Sequence, residues 1–422
     1  MSSLADTLLA EIAAGADEWI GLLQDFVRTP TPNPPGDTRS GTARLAAFLA
    51  ARGLEHRLIA PQPEMPNLVA QFDAARPGRH LVLNGHIDVF PASDPARWKH
   101  GDPWSGTIDD GRLYGRGVAD MKCGTTASLI TYALLHKHRD RLAGRLSLTC
   151  VSDEETGGRW GAGYLFAHHP EYVRGDCCLN GEPSSAYTVR WGEKLPLWLA
   201  FTVKTRGAHG AYVHMSESAS LIALDLMERL EAVTELQPRP PPEIADNLVN
   251  PQVRTALDRS MGAGAADLLG RVTLNIGVVR GGLKLNMIPS ECRVEADIRI
   301  PFGLSKAQVL DCIRAILRDF PQVKMAEESI AEETHANWCD PEGEMLHLIQ
   351  RHAEQVCGIR PVPIATLALT DARWWRNAGI PAYIYGCAPD GMASHDERVS
   401  LEEFLNVIRV HALSAAAYLG GA

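Results

Sequence analysis

Five short islands of acidic residues and histidine, far apart in the chain, carry the side chains that hold metal ions: His86-Ile87-Asp88, Asp120, Asp153-Glu154-Glu155, Glu182 and His395. Each follows an apolar run or a glycine-bearing turn, so folding could gather them at one edge of a sheet, around two cations and a water. A mixture of imidazole and carboxylates suits divalent ions of the zinc class. One more carboxylate beside the water could take its proton, as hydrolysis requires.

His86 and Asp88 stand two apart after the apolar run His80-Leu81-Val82-Leu83-Asn84-Gly85, and side chains so spaced on a strand share a face. A ligating imidazole needs its second nitrogen held, commonly by a neighbouring carboxylate; Asp88 is expected in that role. Asp120 follows Gly115-Arg116-Gly117-Val118-Ala119 and precedes a predicted helix. An aspartate there can cap the helix or, having two oxygens, bridge two cations. In Asp153-Glu154-Glu155-Thr156-Gly157-Gly158 the adjacent glutamates can share a site only where the chain has turned, and the Gly-Gly pair supports a turn. One glutamate then ligates while the other moves a proton. Glu182 lies in Asn180-Gly181-Glu182-Pro183 and His395 in Ser394-His395-Asp396-Glu397. Each island alone also fits a solvated loop; their joint order carries the inference.

These islands need a frame. From Leu4 to Val27, Leu8, Leu9, Ile12, Trp19, Leu22, Leu23 and Phe26 fall at helical spacing, and the run stops at a rigid loop, Thr29-Pro30-Thr31-Pro32-Asn33-Pro34-Pro35-Gly36. Helices are predicted over 41–52 and 121–139, and strands over 67–72, 80–85 and 146–152. Such alternation predicts an α/β fold with a mostly parallel sheet covered on both faces, its ligands beyond the carboxyl ends of the strands. After Trp191-Gly192-Glu193-Lys194 the pattern changes, with Leu197, Leu199, Phe201 and Val203 alternating along a strand. A helix over 216–233, strands over 272–279 and 292–300, a helix over 305–320 and a short strand near 323 then predict a small α+β sandwich. Gln237-Pro238-Arg239-Pro240-Pro241-Pro242-Glu243 opens a surface connection. Alternation resumes near Gly343, with a strand over 380–385 and a closing helix over 401–418. The expected organisation is a catalytic domain in two parts, 1–192 and 331–422, with 193–330 inserted as a lid.

Composition bounds the function. A chain of 422 residues exceeds what one core usually accommodates, and 45% apolar with 22% charged residues is an ordinary globular composition. A formal net charge of −10 and the lack of a Lys/Arg run argue against nucleic acid or a membrane surface as partner. The first residues have neither a basic nor an apolar leader region, and no stretch approaches about 18 uninterrupted apolar residues; a cytoplasmic location is expected. Nine cysteines without a Cys-x-x-Cys fit reduced thiols rather than a disulfide framework.

Taken in order, the Pro-rich loop, Asn84-Gly85-His86-Ile87-Asp88-Val89, Gly115 through Lys122, the Asp-Glu-Glu and Gly-Glu-Pro islands and Thr370-Asp371-Ala372-Arg373 resemble the co-catalytic metallopeptidase family that includes acetylornithine deacetylase, succinyl-diaminopimelate desuccinylase, aminoacylase and glutamate carboxypeptidase. The resemblance spans essentially the whole chain. It implies one divalent ion on His86, Asp120 and Glu182 and a second on Asp120, Glu155 and His395, with Glu154 as general base and Asp88 as orienter. Zinc is the default ion, with cobalt or manganese as alternatives. It further implies that His209, in Gly207-Ala208-His209-Gly210-Ala211, reaches across a homodimer formed by the inserted domain to stabilise the oxyanion, and that Asn286 and Arg299 grip a substrate carboxylate. A planar guanidinium suits that task; without the motif, Arg299 reads as a surface ion pair.

The match has departures. Relatives usually separate the last metal-binding histidine further from the next glutamate than in His395-Asp396-Glu397, so this loop is expected to fold differently, with Asp396 a possible substitute ligand. Val213, Ser216 and Ser218 stand where proline, glycine and asparagine are frequent, and Cys387 where proline is common. Trp191, Trp374 and Trp375 read as core residues before they read as an aromatic substrate wall. The expected activity is hydrolysis of an amide bond in a small N-acyl amino acid or dipeptide-like compound with a free carboxylate. The competing readings are an aminohydrolase or N-carbamoyl-amide hydrolase using the same site, and a non-catalytic binding protein of the same fold.

Overall fold

The strand Arg76–His86 organises the larger part of the molecule. Its second half is buried on both faces, as expected of the centre of a helix-covered sheet. It pairs in parallel with Ala143–Val151 on one side and Cys177–Asn180 on the other. The chain therefore leaves this strand, adds a neighbour to one edge, and returns to the opposite edge. That reversal opens a crevice at the strand's carboxyl end. Register brings the islands level: His86 lies opposite Val151, two residues before Asp153, and Asn84 lies opposite Asn180, two residues before Glu182.

The computed structural model describes residues 3–92, 94–328 and 333–421, divided into two compact units. The first comprises 1–191, 338–364 and 370–422. Its nine-stranded sheet is mixed: the central strands Ala143–Val151, Arg76–His86, Cys177–Asn180 and Ala382–Ile384 are parallel, as the alternation of elements predicts, while antiparallel strands flank them. The helices Cys123–Lys137 and Leu401–Tyr418 pack on each other beside it. Where one N-terminal helix is expected, Leu4–Ala14 and Ala16–Val27 form two, broken at Gly15. The Trp19 indole lies where a side chain on Gly15 would project. Trp191 and Trp375 are fully buried, in keeping with the core reading.

The second unit comprises 192–337 and 365–369. Four antiparallel strands, in the order Thr273–Gly281, Glu291–Ile300, Leu195–Lys204 and Val323–Glu327, send Leu197, Leu199, Phe201, Val203, Val294 and Ile298 into one core with the helices Ala219–Leu230 and Lys306–Leu317. The Pro-rich excursion is more ordered than a surface connection. It leads into the helices Pro242–Val249 and Pro251–Met261, each with proline in its first turn, and Asn250 caps the second.

One close approach links the fold to the crevice. In the helix Cys123–Lys137, a Cβ on Gly124 would lie 1.9 Å from the carbonyl oxygen of Gly181, the residue before Glu182. Neither backbone can yield without moving the other. Gly124→Ala is expected to lower stability by about 1–3 kcal/mol, the usual cost of overpacking, and to weaken metal binding. Thermal denaturation and metal titration check both.

Candidate metal centre

His86, the last residue of its strand, is buried, and its Nδ1 lies 2.7 Å from the backbone carbonyl of Asp88. With Nδ1 donating there, Nε2 keeps its lone pair for a cation. The ring is thus held by the Asp88 carbonyl rather than by the expected carboxylate, whose Oδ1 is 3.7 Å from Nδ1. That carboxylate is engaged elsewhere: it accepts from Asn33 Nδ2 at 2.9 Å and from the amides of Glu154 and Glu155 at 3.2 and 3.1 Å. Asp88 therefore braces the glutamate pair. Asn33 reaches it because the Pro-rich loop runs beside the strand end, with Asn33 donating to the Val89 carbonyl and Val89 to that of Thr31.

The glutamates sit on a single turn, Glu154–Thr156, directly after the strand. Asp153 enters it at φ 78°, and Gly157 and Gly158 leave it at 107° and 67°, a left-handed geometry that glycine adopts freely and aspartate only with support. Asp153 has that support from the Thr156 hydroxyl and, at 2.9 Å, the Trp160 amide. The predicted turn is present, and both glutamates enter one site. Asp120 is not a helix cap. It sits in an irregular turn, Val118–Lys122, at φ −119° and ψ 100°, before the helix begins at Cys123.

Around His86 Nε2 stand Asp120 Oδ1 at 3.2 Å, Glu182 Oε1 at 3.4 Å and Glu154 Oε2 at 3.9 Å. Two groups of ligand atoms are compact enough to hold an ion, His86 with Asp120 and Glu155, and His86 with Glu154 and Glu182. The His86 side chain has no exposed surface, whereas Asp120 and Glu154 keep 14% and 11% of theirs, so the cluster can be reached from one side. Burial, with the neighbouring carboxylates, pushes Glu154 and Glu155 well above the usual carboxylic range and Glu182 up to about 7. Burial opposes a charge on His86, but Glu182, Asp120 and Glu154 outweigh it and raise its pKa well above the ordinary value.

The residues fit a divalent cation. Four acidic groups crowd one imidazole, and Glu155 Oε1 is buried without a hydrogen-bond partner; positive charge is what the cluster lacks. His395 Nε2 is likewise buried and unpartnered, its ring set edge-on to Trp98 with centroids 6.3 Å apart. It is not among the ligand atoms of either compact group. Asp396, the alternative, is in neither compact group, and its Oδ1 accepts from the amides of Lys99 at 2.8 Å and His100 at 3.3 Å.

The other predicted residues belong to the second unit. His209 and Asn286 are brought together there: Ala208–His209 pairs with Met287–Ile288, and Gly210 donates to the Asn286 carbonyl at 2.8 Å. Arg299 pairs with Asp297, its Nε and Nη2 donating to Oδ2 at 3.2 and 3.0 Å, the ion pair that its sequence setting alone suggests. Sequence reasoning missed Asp371. It is buried, its two oxygens have no hydrogen-bond partner, and burial pushes it up to about 7. Its motif, Thr370-Asp371-Ala372-Arg373, is visible in the sequence, but no spacing assigns it a task. Asn33 was missed similarly, inside the Pro-rich loop.

If the Asp88 carboxylate braces the glutamate turn, Asp88→Asn, which loses an acceptor and its charge, should reduce turnover roughly 10–100-fold, the usual effect of changing such a partner. Steady-state kinetics beside an unchanged far-ultraviolet spectrum would show it.

A succinyl-diaminopimelate desuccinylase of Cereibacter sphaeroides is 26% identical over 392 residues, covering 91% of this chain and 94% of that protein. Aminoacylase-1 of Dictyostelium discoideum is 26% identical over 394 residues, covering 87% and 88%. The crystal structure of an M20 family metallo-carboxypeptidase from Sulfolobus solfataricus superposes with a TM-score of 0.80 at 16% identity, over 95% of this chain and 99% of that one. The model of peptidase family M20/M25/M40 matches residues 82–417, and the chain accordingly belongs to that family, as a metal-dependent hydrolase acting on amide bonds of acylated amino acids or dipeptides.

Proposed function

We propose that the enzyme holds two divalent ions and removes the acyl group from a small N-acyl amino acid, or cleaves a dipeptide-like compound, bearing a free carboxylate. The observation that carries this reading is the convergence of His86, Asp120, Glu154, Glu155 and Glu182 into two overlapping compact ligand groups, more donors than one ion needs. His86, Asp120 and Glu182 would hold one ion, and Asp120, Glu155 and His395 the other, with zinc the default and cobalt or manganese alternatives. Bound there, the ions would acidify a water and polarise the scissile carbonyl.

The chain's own groups supply the proton transfers. Glu154, fixed by the bond from its amide to Asp88, takes a proton from the attacking water on its carboxylate and gives it to the leaving nitrogen. One carboxylate thus serves as base in the first step and as acid in the second. The similarity to a desuccinylase and an aminoacylase supports an acyl substrate.

In the second unit, His209 and Asn286 share one exposed ribbon, a setting suited to contacting a substrate. Arg299 completes our assignment as the carboxylate anchor, sharing its fork between Asp297 and the substrate. The same unit exposes Leu221, Leu224, Leu283 and Leu285, which supports association of two copies through it. Nine free thiols suit a reducing cytoplasm. Among the described residues, no helix is long and apolar enough to cross a membrane.

Two experiments test the core of the reading. Chelation should abolish hydrolysis across a panel of N-acetyl, N-succinyl, N-formyl, N-carbamoyl and dipeptide substrates, and zinc, cobalt or manganese should restore it. Glu154→Gln should lose about 10²–10⁴-fold in kcat while its metal content, measured by elemental analysis, stays at the wild-type level. Full turnover without metal, or an active Glu154→Gln enzyme, would sink the reading.

A further inference from the structure

We propose that Glu397 is a positioning residue for the metal centre: its buried carboxylate fixes the turn that carries Asp120 and ties it to the loop that carries His395. The inference rests on the metal-ligand reading above and assigns a task to a pair that the reaction itself does not use.

Asp120 and Met121 lack helical dihedrals, so the amides of this turn depend on an acceptor from outside, and a buried amide without one is costly. Glu397 supplies it. Oε1 accepts from Ala119 N at 3.0 Å and Asp120 N at 3.2 Å, while Oε2 accepts from Arg116 Nη1 at 2.6 Å. The Arg116 and Glu397 side chains are each 1% exposed. A charge-assisted bond of that length, shielded from water, is among the stronger protein hydrogen bonds. The grip is doubled on the main chain, where Gly115 donates to the Glu397 carbonyl at 2.9 Å and Arg398–Ser400 pairs with Arg112–Tyr114.

The same segment sets His395. The Asp396 carboxylate fastens the loop to the Lys99 and His100 amides, and Trp98, against which the His395 ring rests, also carries the Arg116 guanidinium 5.5 Å from its ring centre. Arg116 and Glu397 thus stand between the supports of two metal-ligand candidates from opposite ends of the chain. This arrangement also accounts for the short His395-to-Glu397 spacing: the loop is anchored two residues beyond the histidine, on the turn that holds Asp120.

The test compares wild type with Glu397→Asp, which keeps the charge facing Arg116 but withdraws the acceptor from the Asp120 amide, and with Glu397→Gln, which keeps the length but not the charge. Metal affinity is read by dialysis against chelator-buffered zinc, and the coordination of cobalt-loaded protein by its visible absorption. Both variants are expected to bind metal roughly 10–100-fold more weakly and to show a changed cobalt spectrum. Their kcat should recover toward wild type at saturating metal with KM within about twofold, a rescue that a merely structural role would not give. Wild-type affinity and an unchanged spectrum in Glu397→Asp would overturn the proposal. So would failure of that variant to fold, which would assign Glu397 to the scaffold alone. If wild type binds one ion rather than two, the dinuclear reading fails, and the same comparison on the single ion still decides the role of Glu397.

Discussion

Negative charge packed against one imidazole is the constraint on which the rest of the structure turns. Asp120, Glu154, Glu155 and Glu182 surround His86 in space where water screens them poorly. Such a cluster would disperse unless its backbone were held from behind. The structure shows that holding at each point. Asp88 grips the glutamate turn through two amides, Asp153 locks the same turn from within, and the contact of Gly124 with Gly181 fixes the approach to Glu182. The electrostatic cost that these braces sustain is the condition for strong cation binding.

Several braces are themselves carboxylates, Asp88 and Asp153 among them buried, and each answers backbone amides. Asp88, Asp153 and Asp396 all accept main-chain N–H groups of neighbouring turns. Irregular turns leave such amides without intrasegment partners, and a carboxylate with two oxygens can satisfy two at once. The acidic composition of this chain is therefore divided between groups aimed at a ligand and groups that hold the loops in place. Their residue types do not tell the two apart.

That division explains what could be read beforehand. The strand over 80–85, the helix before residue 139, the alternating Leu197-to-Val203 strand and the closing helix are set by apolar periodicity, and the structure has them. The convergence of His86, Asp120, Glu154, Glu155 and Glu182 was legible because each closes or follows a regular element. The parallel centre of the sheet then fixes their level through register. The antiparallel flanks were not legible, since period-two patterning does not encode strand direction. Nor could spacing assign a task to Asn33, which reaches Asp88 from a loop, or single out the buried carboxylate of Asp371. Asp88 is expected to hold the His86 ring through its carboxylate, whereas its backbone carbonyl meets the ring, a difference that depends on backbone course. The break at Gly15 was missed because helical spacing runs on through it, and the helices after Pro241 because proline there reads as a loop although it also opens helices.

The order of synthesis adds a consequence. Ala382–Ile384 lies between Cys177–Asn180 and a strand beginning at Thr188, and pairs with both. A nascent chain therefore carries a central gap in its main sheet from the time that both neighbouring strands are made until Ala382–Ile384 follows, about 190 residues after Glu193. Until then two inner edges stand unpaired, the kind of surface that recruits foreign strands. A fragment ending between Glu193 and Ala382 has both neighbouring strands without the one that joins them. Its sheet would be divided at the centre, with two open edges of the kind that favour aggregation.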